Sequence, residues 1–207
     1  MRTRHALSLA TFLAIGALAA QSRADSTIKT PGDHPDYVID IEPKGNFGFF
    51  GAWGNSLGFG AGVRFSIPVM KNGFIPKINN NVAISFGADW LHYAGGCGYY
   101  YAGYAGGSCG ADYLFFPVAL QWNFYVAKQW SVFAEPGLAI YHSFYDDYCG
   151  VYAVGSPAYN ACQNAQPSHT YVWPVFEVGG RWHASDKIAL TLRVGYPTVD
   201  FGVSFYL

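Results

Sequence analysis

Charged residues are scarce in this sequence. Asp, Glu, Lys and Arg make up 12% of its 207 residues, against about 25% in a typical soluble domain. The 12 basic and 13 acidic side chains leave a formal net charge of −1, so the chain lacks the basic surface that nucleic-acid binding requires. Because 51% of the residues are apolar, the composition also excludes a disordered chain.

Long apolar runs are also missing from most of the chain. The only one, Ala6 to Ala20, follows Arg2 and Arg4 and is shorter than the roughly 20 residues that a membrane-spanning helix needs. This order of charge and apolar run is typical of a secretory signal peptide. We therefore expect a signal peptide over residues 1–24 that directs Sec-type export, a periplasmic extension over residues 25–36, and a folded domain over residues 37–207.

Cysteine is rare, with four residues in all. In an exported protein they favour two disulfides, and their spacing favours local pairs, Cys97 with Cys109 and Cys149 with Cys162. Neither pair has the gap of two to four residues that zinc sites use. We expect no metal site and no cofactor.

Glycine and aromatic residues are abundant, with 25 Gly, 16 Tyr, 16 Phe and 6 Trp. This composition favours strands and turns over helices. From residue 37 onward, eight segments alternate apolar residues with small, polar or charged ones, as strands with two different faces do. In one of them Phe59, Ala61 and Val63 alternate with Gly60 and Gly62. The prediction is an all-β fold.

The two faces differ in size as well as polarity. No Asp, Glu, Lys or Arg falls on an apolar face, and these faces carry most of the large side chains. Because eight strands enclose only enough room for side chains, the bulky apolar faces should point outward, where they would be insoluble in water. We therefore predict an eight-stranded antiparallel up-and-down transmembrane β-barrel.

The predicted connections alternate in length, as expected for such a barrel. Those near residues 94–112 and 145–168 are long and carry the cysteines, whereas those near 127–129 and 184–187 are short. With both termini in the periplasm, the long connections fall on the extracellular side. Pro68, Pro117, Pro136 and Pro174 lie inside the predicted strands, so we expect bulges or strand ends near them.

On this pattern the chain resembles the small eight-stranded outer-membrane barrels of the OmpA transmembrane domain and OmpX type. Gly202, Phe205 and Leu207 resemble the terminal signal that the barrel-assembly machinery recognises in that class, although the last residue there is usually Phe. The resemblance implies an integral protein of the cell outer membrane in contact with lipid and lipopolysaccharide. We expect a monomer.

Several charged residues fall on the inward faces, and we expect them to form a structural salt-bridge network that plugs the barrel. They are Arg64, Asp89, Glu135, Glu177, Arg181 and Arg193. A narrow ion or small-solute channel lined by the same residues is one alternative. A second is a lipid A-modifying enzyme, for which His142 and Ser143 lie at the outer rim; however, adjacent strand residues point to opposite faces and cannot act as base and nucleophile.

We therefore expect a structural or surface-interaction role without catalysis and without a catalytic residue. The Gly- and Tyr-rich segment over residues 94–112 suits an exposed recognition loop, although the sequence identifies no ligand.

Overall fold

The structure is a computed structural model, which describes residues 26–49, 57–96, 108–145, 155–158, 160, 169–196 and 198–207. The predicted signal peptide lies outside these residues, as do Cys97, Cys149 and Cys162. Among the described residues, no helix is both long and apolar enough to cross a membrane.

Eight strands close into a single antiparallel barrel, so the predicted fold is confirmed. Each strand pairs with its neighbours in sequence, and β8 pairs with β1 to complete the circle. The strands are β1 (Asp40–Gly48), β2 (Gly58–Met70), β3 (Asn80–Gly96), β4 (Ser108–Ala127), β5 (Trp130–Tyr145), β6 (His169–Ser185), β7 (Ile188–Gly195) and β8 (Thr198–Tyr206).

The two ends of the barrel differ. We call the end that carries the β3–β4 and β5–β6 connections the loop end, and the end that carries the short β4–β5 and β6–β7 turns the turn end. Strands β3 to β6 have 16 to 20 residues, whereas β7 and β8 have 8 and 9. The wall is therefore taller on one side, and the β3–β4 pairing extends to Gly96 opposite Ser108, further than predicted.

Burial alternates along the strands with the predicted period. In β1 the side chains of Asp40, Glu42 and Lys44 are buried, whereas Phe47 is 54% exposed. The same alternation buries Gln121 and exposes Val118 in β4. The charged faces therefore line the bore and the apolar faces form the exterior.

Two side chains differ from the predicted facing because the chain does not alternate regularly near strand ends. Alternation with Ile39 and Ile41 predicts that Tyr37 faces outward, but it is buried against Tyr206, with 4.8 Å between ring centroids. It precedes β1, and the amides of Val38 and Ile39 both donate to the Leu207 carbonyl. Alternation with Arg64 and Ser66 predicts that Met70 faces inward, but it is 40% exposed.

Met70 follows a register shift between Pro68 and Met70, which is one of the irregularities expected at prolines. The β4–β5 and β6–β7 pairs also shift, between Tyr125 and Ala127 and between His183 and Ser185. The register does not shift at Pro117, Pro136 or Pro174. The expectation of bulges at these three prolines was therefore wrong.

Candidate functional site: the barrel interior

A layer of charged side chains crosses the barrel interior. The structure places all six residues of the predicted network inside the bore, each at most 8% exposed: Arg64, Asp89, Glu135, Glu177, Arg181 and Arg193. Four more charged side chains in the same layer were not assigned to the network: Asp40, Glu42, Lys44 and Asp200. Their alternation with outward apolar residues along β1 and β8 was the signal that could have found them.

Arg193 on β7 joins two carboxylates that come from distant strands. Its Nε donates to Glu135 Oε2 at 2.8 Å, and its Nη1 and Nη2 donate to Glu42 Oε1 and Oε2 at 2.7 and 3.3 Å. The guanidinium also lies 5.1 Å from the Phe133 ring centroid, within the range of a cation–π contact. The planar fork thus satisfies two buried carboxylates at once.

Arg181 on β6 makes a second set of contacts towards the turn end. Its Nη2 donates to Asp40 Oδ2 at 2.9 Å, and its Nη1 donates to Asn123 Oδ1 at 3.0 Å. Its guanidinium carbon lies 4.7 Å from the Phe133 ring centroid. Phe133 therefore lies against both Arg181 and Arg193.

Arg64 and Lys44 hold the remaining carboxylates towards the loop end. Arg64 Nη2 lies 3.1 Å from Glu177 Oε2 and 3.8 Å from Asp89 Oδ2. Lys44 Nζ contacts Asp200 and lies 2.9 Å from Asp89 Oδ1. Every charged residue of the layer thus has an oppositely charged neighbour within 4.0 Å, as buried ions require.

Glycines on the neighbouring strands leave room for these long side chains. A Cβ built on Gly62 would lie 1.8 Å from Asp89 Oδ1, and one on Gly202 would lie 2.9 Å from Glu42 Oε1. Any larger residue at Gly62 would displace the carboxylate. The glycine-rich inward faces seen in the sequence therefore have a specific packing reason.

Aromatic rings cover the charged layer at the loop end. Tyr93, Tyr113, Phe115 and Tyr141 are buried there. Phe115 with Tyr141 and Tyr93 with Tyr113 form edge-to-face pairs with centroid separations of 4.4 and 5.5 Å. The alternation of the sequence predicts inward positions for all four residues, and the structure confirms them.

A second group of rings covers the layer at the turn end. Tyr125, His183 and Tyr206 lie side by side, with centroids 6.0 Å apart for Tyr125–His183 and 5.7 Å apart for His183–Tyr206. Tyr37 packs on Tyr206. The charged side chains are thus enclosed between aromatic rings at both ends.

The N-terminal segment, residues 26–37, lies across the turn end. Thr27 donates from its amide to Val126 and from its hydroxyl to Tyr125, at 3.3 and 3.2 Å, and the His34 ring stacks on the Tyr125 ring at 4.8 Å. Lys71 forms an exposed ion pair with Asp36 at 2.7 Å. The hydrogen bond from Lys71, together with its charge, lowers the pKa of the Asp36 carboxyl.

The outer rim offers no catalytic triad among the described residues. Ser143 is 1% exposed and faces inward, whereas His142 lies on the outer face and contacts Thr170 Oγ1 at 2.6 Å. His92 instead contacts Asp112 at 3.1 Å. His142 and Ser143 therefore lie on opposite faces of the strand, as the sequence predicts. The part of the chain that the structure describes holds no group of three or more potential metal ligands.

The residues of the predicted assembly signal lie on β8, which closes the barrel, or directly after it. Gly202 faces the bore, whereas Phe205 and Leu207 are 39% and 65% exposed. The amide of Leu207 donates to Ile39 at 2.9 Å. Cys109 lies in β4 opposite Gly95, and the predicted disulfides themselves lie outside the residues whose side chains are described.

No protein-family model matches this chain, and no curated protein sequence matches it. Solved protein structures do match this chain. The crystal structure of Neisserial surface protein A matches with a TM-score of 0.53 and 11% identity, over 82% of this chain and 97% of that one. Ail, the attachment invasion locus protein of Yersinia pestis, in complex with the heparin analogue sucrose octasulfate, matches with a TM-score of 0.50 and 10% identity, over 82% of this chain and 96% of that one.

Both of these proteins are small eight-stranded outer-membrane barrels. At identities near 10% the likeness concerns the fold alone, and it agrees with the closed strand order and the antiparallel pairing described above. The chain has the fold of the small eight-stranded outer-membrane β-barrels.

Proposed function

We propose that this protein is an integral component of the cell outer membrane with a structural or surface-interaction role. The observation that carries the proposal is the apolar exterior. Large apolar side chains are exposed all around the barrel, among them Phe59 (55%), Val118 (56%), Leu138 (57%), Leu192 (51%) and Phe201 (53%). An apolar surface this extensive needs a partner, and a hydrocarbon layer fits a closed cylinder because no strand edge is left unpaired.

Aromatic residues near the strand ends support the same placement. Trp130 and Trp182 lie at the turn end and are 45% and 38% exposed, whereas Trp90, 42% exposed, lies towards the loop end. Exposed rings towards both ends of the barrel suit the two interfaces of a bilayer, where such rings are enriched. The loop end would then face outward and contact lipopolysaccharide, and the turn end would face the periplasm.

We further propose that the bore is plugged. The ion pairs described above cross the bore between nonadjacent strands, and aromatic rings lie on both sides of them. Towards the loop end, beside Arg64 and Glu177, lies a cavity of about 20 Å³, which holds about one water molecule. A permeation path would need the Arg64–Glu177 and Arg193–Glu135 pairs to separate.

The test of localisation is fractionation of a diderm bacterium that expresses the chain, followed by electrophoresis of heated and unheated samples. We expect the protein in the outer-membrane fraction as a monomer whose mobility shifts on heating. A soluble periplasmic protein without a heat shift would contradict the proposal.

The test of the plug is conductance in planar bilayers, with a trimeric porin as the positive control. We expect no current steps from the purified barrel. Steady single-channel steps would favour the alternative of a narrow channel and would refute the plug, while leaving the membrane location intact. Mass spectrometry of lipid A from cells with and without the gene tests the enzymatic alternative, and we expect identical spectra.

Two loop disulfides complete the proposal, Cys97 with Cys109 and Cys149 with Cys162. The support for the first pair is the pairing of β3 with β4. Cys97 directly follows β3, and Cys109 lies in β4 opposite Gly95. Peptide mapping without reduction should find both pairs. Free thiols, or crossed pairs, would contradict this part of the proposal.

Assembly by the barrel-assembly machinery is proposed on the position of the C-terminal strand. Phe205 lies on β8 beside the seam with β1, Leu207 directly follows this strand, and both side chains are exposed. We expect Leu207→Phe to assemble as well as the wild type or better, and Phe205→Ala to assemble poorly. Equal outer-membrane levels of the wild type and Phe205→Ala would argue against a recognition role for this strand.

A further inference from the structure

The charges inside the barrel do not balance. Among the residues that the structure describes, six buried carboxylates face four buried cationic side chains, which leaves a formal excess of two negative charges. Uncompensated ions are costly to keep in a confined space of low polarity. This excess of negative charge therefore favours the binding of a cation at any part of the charged layer that solvent can reach.

The two carboxylates of the layer that solvent reaches most are Asp89 and Glu177. Their side chains are 10% and 8% exposed, whereas those of the other charged residues are at most 1% exposed. Both line the cavity of about 20 Å³ on the loop-end side of the layer, together with Arg64. These three residues carry a formal charge of −1.

Aromatic rings form part of the remaining wall of the cavity, which also includes Pro117, Ala139, Val175 and Thr198. Phe115, Tyr141 and Tyr196 line it, and Phe115 and Tyr141 pack edge to face at 4.4 Å. The Tyr141 residue is 3% exposed, and its hydroxyl has no hydrogen-bond partner among the described residues. A buried hydroxyl without a partner is uncommon and calls for one.

From this geometry we propose that the cavity binds the ammonium group of a small cationic ligand, that is, the ammonium ion or a primary amine. An ammonium group is about the size of a water molecule and fits the cavity. Its N–H groups would donate to Asp89, Glu177 and the Tyr141 oxygen, and the adjacent rings attract cations. Sodium is a poorer fit, because aromatic carbons cannot replace the oxygen ligands of its hydration shell.

The test is a titration of the full mature chain, refolded in detergent micelles and followed by solution NMR of residues around the cavity. The probes are ammonium chloride and methylammonium chloride, with sodium chloride and tetramethylammonium chloride as controls at equal ionic strength. We expect saturable shifts with the first two salts and none with the controls. Identical shifts in all four salts would show that the cavity holds water only, and would overturn the proposal.

A matched pair of variants tests the geometry. Tyr141→Phe removes only the hydroxyl at the cavity and should weaken ammonium binding threefold or more. Tyr93→Phe removes the other unpartnered buried hydroxyl of the loop-end rings, which does not line the cavity, and should bind as the wild type does. Equal binding by wild type and Tyr141→Phe would refute the proposed site. The readout requires only the folded barrel, so it stands or fails independently of membrane location.

Discussion

Removing the Arg193 side-chain charge should destabilise the barrel more than almost any other single change. Arg193 makes three charged hydrogen bonds, of 2.8, 2.7 and 3.3 Å, to Glu135 and Glu42. Arg193→Met keeps much of the volume but leaves two buried carboxylates without their main partner. Breaking a buried pair in this way typically costs about 3–5 kcal/mol, and we expect a loss of that size in the free energy of unfolding.

The remaining cations can compensate only in part. Arg181 Nη2 lies 3.6 Å from Glu42 Oε2, and Arg64 Nη1 lies 4.0 Å from Glu135 Oε2. These contacts are too long for strong hydrogen bonds. If the penalty comes from the stranded carboxylates, the triple variant Arg193→Met, Glu42→Gln, Glu135→Gln should recover at least half of the stability that Arg193→Met alone loses.

Equilibrium urea unfolding of the refolded protein in lipid vesicles, followed by tryptophan fluorescence and by the heat-dependent gel shift, measures these differences. The matched control is Leu192→Met, because Leu192 precedes Arg193 and faces outward, 51% exposed. It should change stability by less than about 1 kcal/mol. The reasoning is refuted if Arg193→Met loses less than about 1 kcal/mol, or if the triple variant is no more stable than the single one.

Three further predictions concern other parts of the molecule. Val118→Arg, at an outward position 56% exposed, should cost about 2–4 kcal/mol in lipid vesicles, and no loss there would argue against a lipid-facing exterior. Gly60→Ala places a Cβ 1.8 Å from the Trp90 carbonyl oxygen and should lower stability by about 1–3 kcal/mol or prevent folding. Its control is Gly45→Ala, where the nearest atom is 4.0 Å from the added Cβ and little effect is expected. Urea unfolding distinguishes the two variants. Because Lys71 lowers the pKa of Asp36 in the folded state, this carboxylate stabilises the fold at neutral pH and loses its contribution as the pH falls through that lowered pKa. In an NMR titration Lys71→Met should return the Asp36 pKa to its ordinary value, and an unchanged pKa would remove Lys71 as the cause.

The facing of the strands could be predicted because it depends only on alternation. Asp40, Glu42 and Lys44 alternate with outward residues in β1, and the structure buries all three. Where alternation stops, the prediction fails, as at Tyr37, which precedes the first strand and turns into the bore. The sequence also ends β3 too early and begins β4 too late, because glycines such as Gly95 resemble a loop in sequence although they pair across the ladder.

The partners inside the bore could not be predicted in the same way. Arg193 meets Glu42, 151 positions earlier, and Glu135, 58 positions earlier, and only the closure of the barrel brings these residues together. Nor does the sequence show how a large inward side chain finds room. Phe133 faces inward, as alternation predicts, and it fits because Gly179 lies opposite it on β6, where a Cβ would lie 2.2 Å from the Phe133 ring.

The charged layer also connects strands that no backbone hydrogen bond joins. Backbone hydrogen bonds join each strand only to its two neighbours, whereas the ion pairs link strands across the bore: Arg64 on β2 to Glu177 on β6, and Arg181 on β6 to Asp40 on β1. A slip of one residue in any strand would turn its charged side chains outward into the apolar exterior. Pairing across the bore therefore penalises every wrong register of β1, β2, β6 and β7. The glycine-rich inner faces of these strands would by themselves specify the register only weakly, and the charges supply the missing specificity.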